Sequence, residues 1–371
     1  MQILVLARSG VRPGHELTLG TVRIMNLNGK NLVEWLASCQ KTMFPGNGIT
    51  NYYARFVAVQ DYLNQNVHPH VTPLAMLQDG GYLTDHGPEH VQTVIRRASQ
   101  LVEHEGCELS PYEVYILLVG IHIHDVGMIV GGRERHEINQ EAVMERLGML
   151  MGEDRGEKVA IHKIAAAHGG SINGDKDTIG KLPENEALLG QRIRPRILAA
   201  LLRFADELAD ERARAARFIM AVGQLPQGSE VYHKYAHALQ SVIAQVPGDS
   251  VALDFEMTVE DACRTFGKAD RRVYLLDEIF ERTLKMHRER VYCMRFLRSL
   301  ISIDKINVTV RVYGPHYSDE RESVTYRLEE SGYPDADIPI HALCAELTDP
   351  RYGGIINGES LRARLLTGEN Q

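Results

Sequence analysis

Ile121-His122-Ile123-His124-Asp125-Val126-Gly127 is the stretch that decides the fold of this chain. It follows the apolar run 114–119 and closes on a glycine. Adjacent His124 and Asp125 can both reach one metal ion if the helix that carries them ends there. An imidazole nitrogen beside a carboxylate oxygen suits borderline metals better than purely hard ones. Because a single His-Asp pair is common, the prediction of a metal centre depends on further ligands elsewhere in the chain.

Composition limits the classes of protein that the chain can belong to. Its 371 residues suffice for one large domain or two smaller ones, and 44% hydrophobic with 24% charged residues is typical of a globular protein. The formal net charge of -8 disfavours generic nucleic-acid binding through a basic surface, and the sixteen histidines favour metal binding.

Cysteine usage and the N-terminus predict a cytoplasmic protein without a membrane partner. The five cysteines are dispersed and form no CxxC pair, which argues against a disulfide framework or a thiolate zinc knuckle. The apolar N-terminus, residues 1–8, is too short to span a membrane and lacks the basic region that precedes the apolar run of a signal peptide.

Hydrophobic spacing predicts a mainly α fold, with a helical body and a smaller C-terminal α+β subdomain. Ser110-Pro111-Tyr112-Glu113 resembles a capping box, and the helix after it is apolar on nearly all sides, so it should be central and buried. A long helix is expected over 193–218. After Pro226 the pattern changes to strand-like alternation over 250–258 and 306–313, with a long amphipathic helix over 270–300 between them.

Four segments follow from this pattern. Residues 1–75 form an N-terminal mixed or helical extension, and residues 76–225 form the metal-binding helical domain. Residues 229–330 form the α+β subdomain, and residues 331–371 form a tail that its three prolines predict to be irregular.

Four more potential ligands, His90, His136, His168 and Asp206, lie beside apolar runs of the helical body. An acid such as Asp206, within the run 202–208, is costly to bury unless it is paired or metal-bound. Each residue alone is explained more simply as a cap, a surface residue or a solvated ion-pair partner. Together with His124-Asp125 they favour a metal centre.

The order His90, His124-Asp125, Asp206 resembles the HD superfamily of metal-dependent phosphohydrolases. The resemblance covers about residues 82–218 and includes the neighbours Val91-Gln92-Thr93-Val94 and the run 203–208. It implies an HD-type helical body in which His90, His124, Asp125 and Asp206 hold one divalent ion. It further implies that His136 and His168 hold a second ion, with Asp125 as the bridge.

The resemblance implies hydrolysis of a nucleotide or related phosphate ester, with Asp125 at the catalytic centre. A divalent ion activates water as the nucleophile, and a second ion stabilises the phosphoryl oxygens. Histidine-rich ligation favours Mn, Fe, Co, Ni or Zn over Mg, although family members use several ions. Glu137 or His162 is the candidate proton donor to the leaving group. Mono- and diester substrates stay open.

Further residues are candidates for substrate binding. His86 lies four residues before His90, so it is expected to support that ligand, to face substrate, or to be a loop residue. His122 is expected to pack in the core. Guanidinium groups match phosphate geometry, although a solvated helix start is the simpler explanation of an arginine run. The candidate phosphate contacts are Lys163, Arg133, Arg192, Arg194 and Arg196.

Two departures disfavour the subgroup that cleaves cyclic di-GMP. Met128 replaces its lysine after His-Asp-x-Gly, and Gly332-Tyr333-Pro334 lies far beyond Asp206. One alternative function is a catalytically silent nucleotide-binding sensor that signals through 229–330. Another is a single-strand nuclease or a cyclic-nucleotide phosphodiesterase. The expected partner is a small phosphorylated substrate, and the long helix 270–300 could pack on the body or on a second copy in a homo-oligomer.

Overall fold

A computed structural model describes most of the chain. Its described residues are 25–78, 85–132, 136–169, 171, 174–210, 225–246, 248–315, 319–330 and 337–368. The first part of the predicted N-terminal extension (1–24), the candidate phosphate contact Arg133 and Gly332-Tyr333-Pro334 lie outside the described residues. The four predicted domain boundaries remain predictions.

The fold is mainly α, with a smaller strand-rich C-terminal part, as the sequence predicts. Two short antiparallel strands, β1 (Glu186–Leu188) and β2 (Gln191–Ile193), precede the last helix of the body. The helices of the body are α1 (Leu32–Ser38), α2 (Tyr52–Asn66), α3 (His68–Gln78), α4 (Pro88–Val102), α5 (Pro111–Ile123), α6 (Met128–Gly131), α7 (His136–Leu147), α8 (Arg155–Ala166) and α9 (Pro195–Glu207).

Helix α5 is the central helix of the body, as predicted. The Ser110 hydroxyl accepts a hydrogen bond from the Glu113 backbone N–H at 3.2 Å, and the Glu113 carboxylate accepts one from the Ser110 N–H at 3.0 Å. This is the capping box that the sequence indicates. Every residue of α5 is buried, and the helix contacts α1, α2, α4, α8 and α9.

The stretch Pro111–Gly131 is the one part of the described chain that is long and apolar enough to cross a membrane. That test uses length and composition only, and a buried core helix passes it equally well. Here 83% of its apolar window is buried inside the protein. Its hydrophobicity is therefore explained by its place in the core.

Helix α9 is shorter than expected, so the prediction of one continuous helix over 193–218 is wrong. The helix ends at Glu207, and the Ala209 N–H turns back to the Asp206 carbonyl at 2.9 Å. The buried Arg97 side chain donates to the Leu208 carbonyl at 3.1 Å. A carbonyl bonded in this way satisfies one of the acceptors that a helix end leaves open.

A four-stranded sheet forms the centre of the C-terminal part. Its order is β3-β4-β7-β8, in which β4 and β7 are parallel and the outer pairs are antiparallel. Inward-facing apolar residues alternate along β4 and β7, as the sequence predicts. The elements from residue 230 onward are α10 (Glu230–Ala238), β3 (Leu239–Gln245), β4 (Ser250–Thr258), α11 (Val259–Cys263), β5 (Thr265–Lys268), β6 (Arg271–Tyr274), α12 (Leu275–Leu297), β7 (Lys305–Tyr313), β8 (Glu320–Glu329), α13 (Ile340–Leu343), β9 (Thr348–Asp349), β10 (Gly354–Ile355) and α14 (Gly358–Gly368).

The expectation of an irregular tail is wrong for its described residues. Helix α14 packs on α11, and the Gly358 N–H donates to Asp277 at 2.8 Å. Leu361 is fully buried, so the tail helix contributes an apolar face to the core. Prolines mark the turns that precede this helix, and do not prevent it.

Helix α12 joins the strand-rich part to the helical body. Three ion pairs connect it to α9 or the turn after it, and their numbers run in opposite directions, as expected for antiparallel helices. The pairs are Arg203–Glu289, Glu207–Lys285 and Asp210–Arg282. On the sheet side, the Thr283 hydroxyl lies 2.8 Å from the Tyr326 hydroxyl of β8. Because α12 packs within the chain on both sides, it gives no support to the predicted homo-oligomer, which remains a prediction.

We expect Arg203→Met to lower the free energy of unfolding by about 3 kcal/mol, because it removes a buried guanidinium and leaves a carboxylate, a carbonyl and a hydroxyl without their donor. The Arg203 side chain is 8% exposed, pairs with Glu289 at 2.7 Å, and also donates to the Gly169 carbonyl and the Thr178 hydroxyl. Chemical denaturation of the variant measures the loss.

Lys285→Met is the matched control. The Lys285 side chain is 59% exposed and has Glu207 as its one described partner, so its loss removes a single contact at the protein surface and should cost about 1 kcal/mol. Equal losses in the two variants would show that burial of Arg203 does not set the strength of this interface.

Candidate metal centre

The end of α5 places His124 and Asp125 at the centre of the site. His124 is fully buried, and its Nδ1–H donates to the Ile121 carbonyl at 2.7 Å. This bond leaves Nε2 facing the other potential ligands. The Gln140 side-chain amide of α7 donates to the His124 carbonyl. The turn that carries His124 and Asp125, here called the HD turn, is therefore fixed by hydrogen bonds to both α5 and α7.

Gly127 is required by the close approach of α7. A Cβ atom at this position would lie 1.9 Å from the His136 carbonyl oxygen and 2.8 Å from the Gln140 backbone nitrogen. No side chain fits between these backbones. The glycine after His-Asp therefore lets the start of α7 bring His136 to the centre.

The first group of ligand atoms gathers around Oδ2 of Asp125. His124 Nε2 lies 3.1 Å and His90 Nε2 lies 3.6 Å from this oxygen. Oδ1 of Asp206 lies 3.1 Å from His90 Nε2 and 3.7 Å from His124 Nε2. These residues come from α4, the end of α5 and α9, and all of them were predicted to share one ion.

The second group gathers around the other oxygen of Asp125. His136 Nε2 and His168 Nε2 each lie 3.5 Å from Oδ1, and these two nitrogens are 3.2 Å apart. The His168 Nδ1–H donates to the Ala165 carbonyl at 2.6 Å, which repeats the arrangement of His124. Asp125 thus presents one oxygen to each group.

These distances suit metal ligands. Nitrogen and oxygen atoms bound to zinc at about 2.0–2.2 Å lie roughly 3.0–3.6 Å from one another in a tetrahedral or octahedral shell. Among the described residues, three sets have atoms close enough to hold an ion together. They are His86, His90 and Asp125; His90, His124 and Asp206; and His124, Asp125 and His168.

Orphaned nitrogens show that the residues fit a bound cation. Within the described part of the chain, Nδ1 and Nε2 of His90 and Nε2 of His124 are buried without a hydrogen-bond partner. Buried polar atoms rarely stay unsatisfied. Coordination of the two Nε2 atoms would satisfy them, so the centre can bind a divalent metal.

The carboxylates of the centre are charged at neutral pH. Burial raises the pKa of Asp125, but the imidazoles of His124 and His86 outweigh it and hold that pKa well below the usual range. Burial also raises the pKa of Asp206, and the imidazoles of His124 and His90 outweigh it and hold that pKa well below the usual range. Burial lowers the pKa of His124, and Asp125 reverses this and raises it well above the usual value. The anionic oxygens therefore match a cation.

His86 belongs to the centre more closely than the sequence indicated. Its Nδ1 lies 2.7 Å from Asp125 Oδ2, and its ring meets the edge of the His90 ring with centroids 5.2 Å apart. The segment is fixed from α3, since the Thr72 hydroxyl accepts from the His86 N–H and donates to Asp85. Spacing on α4 could not reveal this, because His86 precedes that helix.

Glu137 lies beside the second group. Its carboxylate is 3.5 Å from His136 Nδ1, an arrangement that orients an imidazole ligand. His162 and Lys163 lie on α8 and are absent from the three described sets of ligand atoms. His162 is half-buried and Lys163 is exposed.

The structure gives three of the predicted phosphate-binding arginines, Arg192, Arg194 and Arg196, other partners. Arg194 pairs with Glu113 at 2.8 Å, at the opposite end of α5 from His124 and roughly 16 Å away along that helix. Arg196 donates to the carbonyls of Leu182 and Gly180, and Arg192 donates to Asn185. These contacts tie the start of α9 to its surroundings and do not bring the arginines to the ligand groups.

His122 and His68 form a buried pair under the centre. His122 Nδ1 lies 3.3 Å from His68 Nε2, and its other nitrogen lies 3.3 Å from the Gln60 amide. Burial lowers the pKa of His122 to about 3 and that of His68 to about 4. His122 therefore packs in the core as a neutral group, away from the ligand atoms.

A family profile described as HD-CE matches residues 80–285, which is more than half of the chain. The matched range contains every residue of both ligand groups and ends near the middle of α12. No curated protein and no solved structure matches the chain.

Gly127→Ala is expected to lower both the free energy of unfolding, by about 3 kcal/mol, and the affinity for divalent metal, because α7 must move away from the HD turn. Thermal melting and titration with Mn²⁺ measure the two losses.

Gly120→Ala on α5 is the control, since a Cβ there meets Leu202 Cδ1 at an ordinary 3.5 Å. Alanine within a helix gains about 0.5–1 kcal/mol over glycine, so this variant should be at least as stable as the parent. A Gly127→Ala protein that melts and binds Mn²⁺ like the parent would contradict the role given to this glycine.

Proposed function

This chain belongs to the HD-CE family, and on that premise we propose that it is a metal-dependent phosphohydrolase that cleaves a nucleotide or related small phosphate ester. One observation supports the proposal most directly. The two oxygens of Asp125 face two separate sets of imidazole nitrogens, His90 and His124 on one side and His136 and His168 on the other.

We propose that two ions bind, with Asp125 shared between them. His90, His124 and Asp206 would complete the first site, and His136 and His168 the second. Divalent ions held there would supply the Lewis acidity that activates water and stabilises charge on phosphoryl oxygens. The imidazole-rich donors suit Mn, Fe, Co, Ni or Zn, and the carboxylates also accept Mg.

Two side chains beside the centre are candidates for donating a proton to the leaving oxygen. Hydrolysis adds water across the P–O bond, so the leaving oxygen must gain a proton while the attacking water loses one. Glu137 is 18% exposed beside His136, and His86 is 13% exposed beside Asp125. Both are near the ligand groups and reachable by solvent. We assign the leaving-group proton to Glu137 in preference to His162, since no contact among the described residues places His162 at the centre.

Substrate is proposed to approach from the side of Asp206, whose carboxylate is 27% exposed while the imidazoles of His90 and His124 are fully buried. His86 contacts Asp125 Oδ2 in the same first group and would contact a bound phosphate ester. The exposed Lys163 and the guanidinium of Arg133 remain proposed phosphate contacts.

Metal analysis tests the shared role of Asp125. We expect about two Mn²⁺ per parent chain and about one in His168→Ala, because that change removes a ligand from the second group only. Asp125→Ala should retain none, since both groups lose an oxygen. The content of metal is measured after dialysis, and His162→Ala is the matched control with parental content. Equal metal loss in His168→Ala and His162→Ala would contradict the two-group assignment.

Activity tests the reaction. Mn²⁺-loaded protein should release phosphate, or cleave a diester, from at least one member of a panel of nucleotides, cyclic nucleotides and short oligonucleotides. Asp125→Asn should reduce the rate at least about 1,000-fold, because the activation of water depends on the ligands at this centre. Protein that binds metal but cleaves nothing, and whose biological activity survives Asp125→Ala, would instead support a silent sensor.

A further inference from the structure

A concave site lies in the C-terminal part, outside the candidate metal centre. The cavity measures about 440 Å³ and is bordered by the start of α10, the residues that follow α11, strands β5 and β6, and helix α14. Its volume is within the range of about 300–1,000 Å³ that is typical of small-molecule pockets. None of its lining residues belongs to the two ligand groups.

Three arginines line this cavity from three separate elements. Arg264 follows α11, Arg272 lies on β6, and Arg362 lies on α14. The side chains of Arg264 and Arg272 are 49% and 50% exposed, and Arg362 is exposed as well. Their guanidinium groups can therefore reach a ligand in the cavity.

Two of the arginines are held in place by neighbours that leave donors available. The Arg264 guanidinium lies over the Phe266 ring at 4.5 Å. Arg272 donates through Nε to the Thr265 hydroxyl at 3.1 Å and through one Nη to the Thr265 carbonyl. For Arg362, the described part of the chain provides no ion pair or hydrogen bond. Prior orientation lowers the entropy lost when a ligand binds.

The charge of the cavity is only partly balanced. Glu230 is the one acidic lining residue, and its carboxylate accepts from the Gly267 N–H at 2.9 Å and lies 3.8 Å from Arg272. Glu260 and Asp261 approach Arg264 from outside the lining, each at 3.6 Å. Lys234 pairs with Asp261 at 2.8 Å, so the cavity and its border hold four positive and three negative charges. This positive excess, on a chain whose net charge is -8, favours an anion.

We propose that this cavity binds a small phosphorylated ligand through Arg264, Arg272 and Arg362. Guanidinium groups bind phosphate oxygens with paired hydrogen bonds, and three of them around one space suit a multiply charged phosphate group. The site is independent of the metal centre and is made of residues that the proposed hydrolysis does not use.

Calorimetric titration of the full chain with inorganic pyrophosphate tests the proposal. EDTA-treated protein is used, so that the metal centre does not contribute to binding. We expect a Kd below about 1 mM. Arg264→Gln and Arg362→Gln should each weaken binding about tenfold through loss of a charge-assisted contact.

Arg298→Gln is the control, because Arg298 is exposed at the far end of α12 and is absent from the cavity. It should bind like the parent. Arg362 has no described partner to lose, so its variant should keep the parental melting temperature.

Further ligands identify the source of the phosphate. Tighter binding of AMP or ATP than of pyrophosphate would support a nucleotide, and equal or weaker binding would support a free phosphate compound. The proposal is overturned if pyrophosphate does not bind, if the dicarboxylate malonate binds equally well, or if both cavity variants bind like the parent. Because binding is read without metal or turnover, these outcomes are independent of the proposed hydrolase.

Discussion

Burial of the Asp125 carboxylate is the constraint on which the site depends. A carboxylate removed from water is stable only when opposite charge or hydrogen-bond donors surround it. Here five imidazoles surround it, from residues before α4, on α4, at the end of α5, at the start of α7 and after α8. An end of each of those segments must therefore lie next to Asp125. This requirement constrains how the helices of the body pack.

Arginines extend the same network into the strand-rich part. Arg97 of α4 donates to the carbonyl of Val242 in β3, and Arg203 of α9 pairs with Glu289 of α12. Arg203 also donates to the Gly169 carbonyl, directly after the candidate ligand His168. The elements that carry His90, His168 and Asp206 are thus bonded to the C-terminal sheet or to its connecting helix. The family match likewise continues past the candidate ligands into the first part of α12.

Local patterns predicted the parts of the fold that depend on neighbours in sequence. The capping box at Ser110 and the apolar faces of α5 specify a buried helix, and alternation specifies β4 and β7. The end of α9 could not be predicted, because the carbonyl of Leu208 is taken by Arg97, which lies 111 residues away in the chain. The arginines at 192–196 show the converse. Their spacing suggested phosphate binding, but in the structure they bond to Glu113, Asn185 and backbone carbonyls.

The sequence by itself determined that six side chains with groups able to bind metal lie beside apolar runs, because imidazole and carboxylate groups have few stable uses in a core. Only the tertiary structure decided how they are divided. Two oxygens of one carboxylate face two sets of histidines, and His86 joins the first set from outside any helix. The five histidines come from five segments that only the packing of the body brings together. Their spacing along the chain therefore could not predict this arrangement. The arginine cavity has the same origin, since Arg264, Arg272 and Arg362 meet only when α14 packs on α11.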